Sequence, residues 1–297
     1  MSASALLVSP QGRLRAGWRA ALFLVLVIVL ASLAQLLVAI GARFAGDTTG
    51  DHALITWLGV VAGALAAHWV MIRFIDRDSW SYVGLARRDA AARRVLPGLA
   101  LGTLAVGVPC AALLLAGWLR IDAAPPAGES LAAQSAGLAL FLLPAAFAEE
   151  LLMRGYLLSS LADGIGRWSA LVLTSVVFAL LHVGNPGMSA GALVVVGLAG
   201  VFLGAVRFAT SSLYAAWAAH FAWNAVLALV LHALVSGAAL PGSGWRTVDA
   251  GPDWATGGPW GPEGGVPAAF GLAAATIFLI VRRRRAGSDT VTTATHA

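Results

Sequence analysis

The sequence predicts an all-α fold: a polytopic membrane helix bundle of about eight transmembrane helices, with both termini in the cytoplasm. Of the 297 residues, 59% are hydrophobic and only 11% are charged, and the mean hydropathy is +0.83. A soluble domain is usually ~25% charged, so these residues could not cover a water-facing surface. The same apolar content excludes an intrinsically disordered chain. Two further observations support this fold class: the spacing of the apolar stretches and the distribution of arginine.

Eight apolar stretches approach or exceed the roughly 20 residues that a helix needs to cross a bilayer. The first follows Arg13, Arg15 and Arg19, as the core of a signal peptide would. It is longer than such a core, however, and no clear A-x-A cleavage site follows it, so we predict an uncleaved helix. The predicted spans cover residues 20–40, 53–75, 95–119, 136–161, 168–183, 190–206, 211–235 and 266–281.

All 19 basic residues are arginine, and they are distributed unevenly between the predicted loops. If the N-terminus is cytoplasmic, 16 of them fall inside and only Arg43, Arg120 and Arg246 fall outside, which is a strong positive-inside signal. The net charge of +5 therefore indicates membrane topology rather than a nucleic acid partner. The arginine run 282–285 is interpreted as an anchor at anionic lipid.

Composition divides the chain into four regions. Residues 1–135 are predicted to form an N-terminal three-helix membrane region with a cytoplasmic connector, and residues 136–235 form a core that carries the polar motifs. Residues 236–265, rich in Gly, Pro and Trp, are predicted to be an irregular extracytoplasmic loop, with a lid as the alternative. Residues 266–297 hold the last transmembrane helix and a basic tail. The single Cys110 lies in an apolar run, which excludes a disulfide framework and a Cys-based metal site.

Two adjacent carboxylates lie near the middle of the predicted span 136–161. Charges inside a span cost about 2.5–3.5 kcal/mol each, so they are candidates for function. Arg154 follows Glu150 by four residues, which places the two on one helix face where they can pair. Glu149 points about 100° away from that face, so it does not pair with Arg154 and remains available for a functional role.

Polar residues on two further spans are predicted to reach the same depth. His182 ends the fifth span, and His220 and Asn224 share one face of the seventh because they are four residues apart. At ~1.5 Å per residue, Glu149, His182 and Asn224 lie roughly 18, 21 and 20 Å from the cytoplasmic ends of their helices, and His220 roughly 14 Å. Three helices would thus bring polar groups to one level.

Each of these residues taken alone also fits a structural role. A single intramembrane histidine often makes a helix–helix hydrogen bond, and the Glu–Arg pair could be a structural ion pair with one spare carboxylate. His68 and His232 have no polar neighbours at helical spacing and are interpreted as structural, whereas His52 and His296 are predicted to be solvated. The coincidence of all three motifs favours a functional site.

The three motifs resemble those of the CPBP family of membrane proteases, which includes type II CAAX prenyl endopeptidases and bacterial Abi-type proteins. The family pattern is E-E-x-x-x-R, then F-x-x-x-H, then H-x-x-x-N, and the resemblance covers about residues 138–230. The matching positions here are Glu149, Glu150 and Arg154, then Phe178 and His182, and then His220 and Asn224.

The resemblance implies hydrolysis of a peptide bond of a membrane-associated protein or peptide inside the membrane, with residues 136–235 as the catalytic core. Glu149 would activate a water that His182 helps to bind and polarise. His220 and Asn224 would hold the developing oxyanion or belong to the same polar cluster. Such chemistry needs a base and oxyanion donors but no Ser or Cys nucleophile. The residues implied to support the site are Glu150, Arg154 and Phe178.

The resemblance leaves the cofactor open. The family is commonly labelled as metalloprotease, and Glu149, His182 and His220 would be the ligands if zinc is present. The helix-borne zinc signature H-E-x-x-H is absent from the sequence. We favour a metal-free glutamate mechanism, which has also been proposed for the family.

Two other functions compete with proteolysis. A proton-coupled transporter could use a Glu/His relay, but no inverted repeat is evident, and the interruption at Pro144 has no counterpart in a second half. A non-catalytic immunity or scaffold protein could retain the fold without the chemistry. The Ala- and Arg-rich, Lys-free composition indicates a G+C-rich bacterium and a multi-pass protein of its plasma membrane. Prenylated C-a-a-X proteins, the targets of the eukaryotic relatives, are not expected there.

Overall fold

A computed structural model describes residues 7–8, 12–44, 53–125, 130–242 and 244–294, with side chains through residue 283. The predictions for His52 and His296, and for the last two arginines of the run 282–285, lie outside the described residues or side chains.

The described chain is mostly helical, as predicted. The helices are α1 (Ala16–Phe44), α2 (Ala53–Val70), α3 (Ala92–Leu115), α4 (Leu131–Glu150), α5 (Leu158–Ile165), α6 (Arg167–Leu181), α7 (Ala190–Thr210), α8 (Leu213–Ala225), α9 (Asp253–Thr256) and α10 (Val266–Ala294). Wider π-helical turns continue three of them: Met71–Asp76 after α2, Leu151–Leu157 after α4 and Val226–Leu231 after α8. Ser130, Ser189 and Ser212 cap α4, α7 and α8 by accepting a hydrogen bond from a backbone N–H of the first turn.

Seven helical segments of the described chain are long and apolar enough to cross a membrane, which confirms a polytopic helical membrane protein. The predicted span 168–183 corresponds to α6, an eighth apolar helix that has only 15 residues and is shorter than these seven segments. At 1.5 Å per residue α6 is roughly 22 Å long, against roughly 30 Å for the hydrocarbon core. Trp260 lies 6.4 Å from the His182 ring at its C-terminal end and Gly187 packs against the Pro259 backbone, whereas Leu181 and Val183 remain exposed.

The helices nevertheless alternate in direction. Arg94, near the start of α3, hydrogen-bonds the Thr210 carbonyl at the end of α7, and Arg283 of α10 hydrogen-bonds the Phe208 carbonyl beside it. Helix starts and ends therefore meet at one arginine-rich end of the bundle, which agrees with both termini lying on one side. Arg154, counted above among the cytoplasmic arginines, is instead buried inside the bundle and carries no information on topology.

Close helix packing rests on small residues. Gly98 and Gly102 of α3 lie against the backbone of Ala215 and Ala219 of α8. A Cβ atom on Gly102 would come within 2.1 Å of the Ala219 carbonyl oxygen. Since the hydrophobic effect does not drive helices together inside lipid, van der Waals contact between closely approaching backbones stabilises this pair.

The all-α prediction missed one small sheet, and the loop prediction for residues 236–265 is corrected. Strands β1 (Leu119–Ala124) and β2 (Gly244–Asp249) pair antiparallel at the end of the bundle opposite the arginine-rich one. Beyond β2, residues 253–264 fold into short helical turns that bury Trp260 completely and leave Glu263 only 7% exposed. The Gly- and Pro-rich composition that indicated an irregular surface loop instead supplies the tight turns of a segment packed into the bundle.

Candidate functional site

The structure brings the three motifs together between α4, α6 and α8. Glu149 and Glu150 end α4, His182 is the first residue after α6, and His220 lies inside α8. The Glu149 Oε2 atom is 3.8 Å from His220 Nε2 and 4.0 Å from His182 Nε2. Three helices distant in sequence therefore place a carboxylate and two imidazoles around one point.

Glu150 and Arg154 form the buried side of this cluster. The Arg154 guanidinium donates a hydrogen bond of 2.9 Å to Glu150 Oε1, and it donates a second one of 3.3 Å to the Gly200 carbonyl of α7. The same Glu150 oxygen accepts a hydrogen bond of 2.9 Å from His220 Nδ1. Both side chains of the ion pair are fully buried, so the pair joins α4, α7 and α8 away from water.

Phe178 is the packing centre of the site. The Arg154 guanidinium lies 4.3 Å from the centroid of its ring, within the range of a cation–π interaction. The rings of His182 and His220 lie 4.7 Å and 6.1 Å from the same ring. The Phe178 carbonyl accepts a hydrogen bond from His182 Nδ1 because the two residues are one helical turn apart. The motif F-x-x-x-H thus aligns a histidine by the backbone and by the ring of one residue.

The hydrogen bonds at Nδ1 determine how both histidines face Glu149. A carbonyl oxygen and a carboxylate can only accept, so Nδ1 donates in His182 and in His220. Each Nε2 atom is therefore the one directed at Glu149. The separations of 3.8 and 4.0 Å are too long for direct hydrogen bonds but suit groups that share one bridging water.

Two cavities meet at Phe178 and His182. A groove of about 330 Å³ lies on the Glu149 side, where Trp57, Leu152 and Leu181 supply apolar walls. The Glu149 side chain is 30% exposed, so the groove gives a ligand access to it. An inner cavity of about 40 Å³ lies behind the histidines, and Asn224 is among the residues that line it.

Glu263 is a third carboxylate at the site, and sequence reasoning missed it. It lines the inner cavity with His182 and His220, and it accepts hydrogen bonds from the Trp223 indole and from the Ser236 backbone N–H. Burial raises the pKa of Glu263 above its usual range. The available signal was weak: a single acid among Gly and Pro residues of a predicted loop, with no partner at helical spacing.

His68 supports the site from α2. Gly155 departs from helical geometry in the π-helical turn after α4, which frees the backbone N–H of Tyr156. His68 Nε2 accepts that N–H at 3.1 Å, while its Nδ1 donates to the Ala64 carbonyl at 2.7 Å. A Cβ atom on Gly155 would lie 2.2 Å from His68 Nε2, so only glycine fits there. The structural interpretation of His68 agrees with these contacts, which hold the helix break next to the motif carboxylates.

The candidate metal ligands do not form a preformed metal site. Within the described residues, no three His, Cys, Asp or Glu side chains are grouped closely enough to hold an ion. Zinc bonds to His nitrogen and carboxylate oxygen are ~2.0–2.2 Å long, and tetrahedral sites need at least three such ligands from the protein.

Comparison with known proteins supports the motif-based assignment. Residues 132–226 match the family described as type II CAAX prenyl endopeptidase Rce1-like, and this segment contains all three motifs. No curated protein and no solved structure matches the chain. Residues 132–226, about a third of the chain, are therefore similar to Rce1-like CAAX-type membrane proteases, and the apolar helices of the described chain are those of a multi-pass membrane protein.

Proposed function

We propose that the protein is an intramembrane endopeptidase that hydrolyses a peptide bond of a membrane-associated protein or peptide. The single observation that carries the proposal is the position of Glu149, with the Nε2 atoms of His182 and His220 both within 4.0 Å of one of its oxygens. A water shared by these three groups would be the nucleophile.

Glu149 acts as the general base in this proposal. It takes a proton from the attacking water and returns it to the leaving amine as the peptide bond breaks. His182 donates its Nδ1 proton to the Phe178 carbonyl, so its Nε2 atom accepts a hydrogen bond from the other hydrogen of the water. This hydrogen bond orients the lone pair of the water oxygen.

His220 and Asn224 stabilise the tetrahedral intermediate. His220 lies between Glu150 and Glu149, and in its protonated form it donates from Nε2 to the oxyanion while Glu150 accepts from Nδ1. The Asn224 amide supplies a second donor from the next turn of the helix. Donors held in place in a water-poor site stabilise developing charge strongly.

The substrate reaches Glu149 through the apolar groove beside Trp57 and Leu181. Apolar walls at this depth favour a hydrophobic peptide segment that enters from the membrane. The Lys-free, Ala- and Arg-rich composition supports a bacterial plasma membrane as the location. We propose a bacterial membrane protein or peptide, and not a prenylated protein, as the substrate class.

The test uses the purified full chain in detergent and a panel of fluorogenic apolar peptides. Because Glu149→Gln removes the base, we expect turnover to fall by roughly 10²- to 10⁴-fold while the protein remains folded. The matched control is Asp122→Asn, which neutralises an exposed carboxylate on β1 and should leave turnover unchanged. Undiminished turnover by Glu149→Gln would reject the proposal.

A cellular experiment identifies the substrate. Membranes from cells that express the wild-type protein or Glu149→Gln are compared by quantitative sequencing of protein N-termini. New N-termini that depend on Glu149 and lie in or beside hydrophobic segments are expected. If the two strains give the same N-termini, a non-catalytic role is favoured.

A further inference from the structure

A third cavity, remote from the site, lies at the arginine-rich end of the bundle. It measures about 270 Å³ and is formed by the start of α6 and the ends of α7 and α10. Two arginines, Arg167 and Arg283, stand at this cavity, and its remaining walls are apolar. The lining residues are Arg167, Trp168, Ala205, Phe208, Ala209, Leu279, Ile280 and Arg283.

The charges of this cavity are not compensated within the described residues. Two buried arginines elsewhere have carboxylate partners, Arg19 with Asp76 at 2.7 Å and Arg154 with Glu150 at 2.9 Å, and a third, Arg207, donates to the Tyr82 carbonyl. In the described part of the chain, neither Arg167 nor Arg283 lies within 4.0 Å of a carboxylate oxygen. Two positive charges therefore lie beside an apolar cavity, which is an arrangement that suits an anionic ligand.

The two guanidinium groups are held in place by aromatic and backbone contacts. Arg167 lies 4.6 Å from the ring centroid of Phe208 and 5.4 Å from that of Trp168. Its buried Nε atom has no hydrogen-bond acceptor among the described residues. Arg283 donates a hydrogen bond of 3.0 Å to the Phe208 carbonyl, which is one of the unpaired carbonyl groups at the end of α7. These contacts thus hold two positive charges at the same cavity.

We propose that this cavity binds an anionic phospholipid. The phosphate would lie between Arg167 and Arg283, where guanidinium groups bind phosphate oxygens in pairs. An acyl chain would follow the apolar wall of Leu279 and Ile280 into the bilayer. A lipid fits better than a soluble anion because one wall of the cavity is apolar and its neighbour Trp168 is half exposed at the bundle surface.

The test is thermal unfolding of the purified full chain in a neutral detergent. Dioleoyl phosphatidylglycerol should raise the melting temperature in a saturable way, because a ligand that binds only the folded state stabilises it. For the double variant Arg167→Gln/Arg283→Gln, we expect the apparent affinity to fall by roughly tenfold or more, since each surface arginine contributes about tenfold or less. Dioleoyl phosphatidylcholine should give a much smaller shift.

The matched control removes the same charge elsewhere. Arg87→Gln/Arg120→Gln changes two exposed arginines outside the cavity and should keep the wild-type affinity for phosphatidylglycerol. An equal loss in both double variants would overturn the proposal, because general surface charge would then explain the binding. Inorganic phosphate that reproduces the shift at equal concentration would also overturn it, since the cavity would then be a site for a soluble anion.

A single variant keeps the test usable if the double variant does not fold. Arg283 is exposed and lies where the apolar part of α10 ends, so Arg283→Gln should fold normally. It should weaken phosphatidylglycerol binding by roughly threefold to tenfold. Unchanged affinity in this folded variant would contradict the proposal.

Discussion

The site has a buried half, formed by Glu150, Arg154 and the Nδ1 atom of His220, and a groove-facing half, formed by Glu149 and the Nε2 atoms of the two histidines. The two halves are built from neighbouring residues but have different environments. Glu150 is fully buried and is held by Arg154 and His220 Nδ1, whereas the side chain of Glu149 is 30% exposed and faces two Nε2 atoms that it does not touch directly. The helix turns about 100° between the two carboxylates, which is enough to separate these environments. Glu150, with a cation and an imidazole hydrogen-bonded to its Oε1, is suited to holding structure, whereas Glu149, with both imidazoles about one water away, is available for chemistry.

This comparison predicts that the buried half controls stability and the groove-facing half controls turnover. Arg154→Met is expected to have the largest effect on stability, because it leaves the Glu150 carboxylate buried without its cation. Removing one member of a buried pair costs about 3–5 kcal/mol. Folded yield and thermal unfolding in detergent measure the loss, and turnover is expected to fall with them.

The double variant Glu150→Leu/Arg154→Met separates charge from packing. Replacing a buried ion pair by apolar residues is often neutral for stability, so this variant should recover much of the folded yield. Turnover should stay low because His220 no longer has an acceptor at Nδ1. A single Arg154→Met variant as stable as wild type would show that the pair does not hold the site.

Gly155→Ala tests the helix break that supports both carboxylates. The new methyl group would lie 2.2 Å from His68 Nε2, and overpacking of this kind costs about 1–3 kcal/mol. The control is Gly107→Ala in α3, where a Cβ atom meets nothing within 4 Å. Gly155→Ala should therefore have a lower melting temperature than Gly107→Ala. Equal melting temperatures would mean that the contact with His68 can relax at no cost.

Glu263→Gln tests the carboxylate that lines the inner cavity with His182 and His220. An amide can accept from only one of the two donors that Glu263 now serves, so one of the Trp223 and Ser236 hydrogen bonds is lost. The expected loss of stability is about 1–2 kcal/mol, and turnover should drop by roughly tenfold as the inner cavity changes shape. Normal turnover in a destabilised Glu263→Gln would assign this residue to structure alone.

Trp57→Ala is expected to have the smallest effect and to act on substrate binding. Trp57 lines the groove on the Glu149 side and contacts none of the proposed catalytic groups through a hydrogen bond in the described structure. Loss of its apolar surface should raise KM several-fold and leave kcat nearly unchanged, which is the signature of uniform binding. A fall in kcat without a change in KM would indicate a role in positioning instead.

The sequence predicted the membrane fold and the motif cluster because both depend on local patterns. Hydropathy located the spans, and helical spacing placed Glu150 with Arg154 and His220 with Asn224. The meeting of Glu149 with His182 and His220 followed from the resemblance and from the common depth. The sequence also indicated a structural role for His68, although its partner Tyr156 could not be identified.

Features that depend on contacts between distant segments were not predictable. The pairing of β1 with β2 joins residues more than 100 positions apart and leaves no periodic signal. Trp260 and Glu263 lie in a stretch whose Gly and Pro content indicates a surface loop, yet they pack against His182 and Trp223. The short α6 was predicted as a span because hydropathy locates an apolar stretch but does not show where the helix within it ends.

A high-resolution crystal structure of the purified protein, with anomalous data at the zinc edge, tests the central claim most directly. We expect one water peak bridging Glu149 Oε2 and the Nε2 atoms of His182 and His220, at roughly 2.6–3.2 Å from each. No anomalous signal should coincide with it. An anomalous peak at ~2.0–2.2 Å from the same three atoms, or a Glu149 side chain turned away from both histidines, would contradict the account.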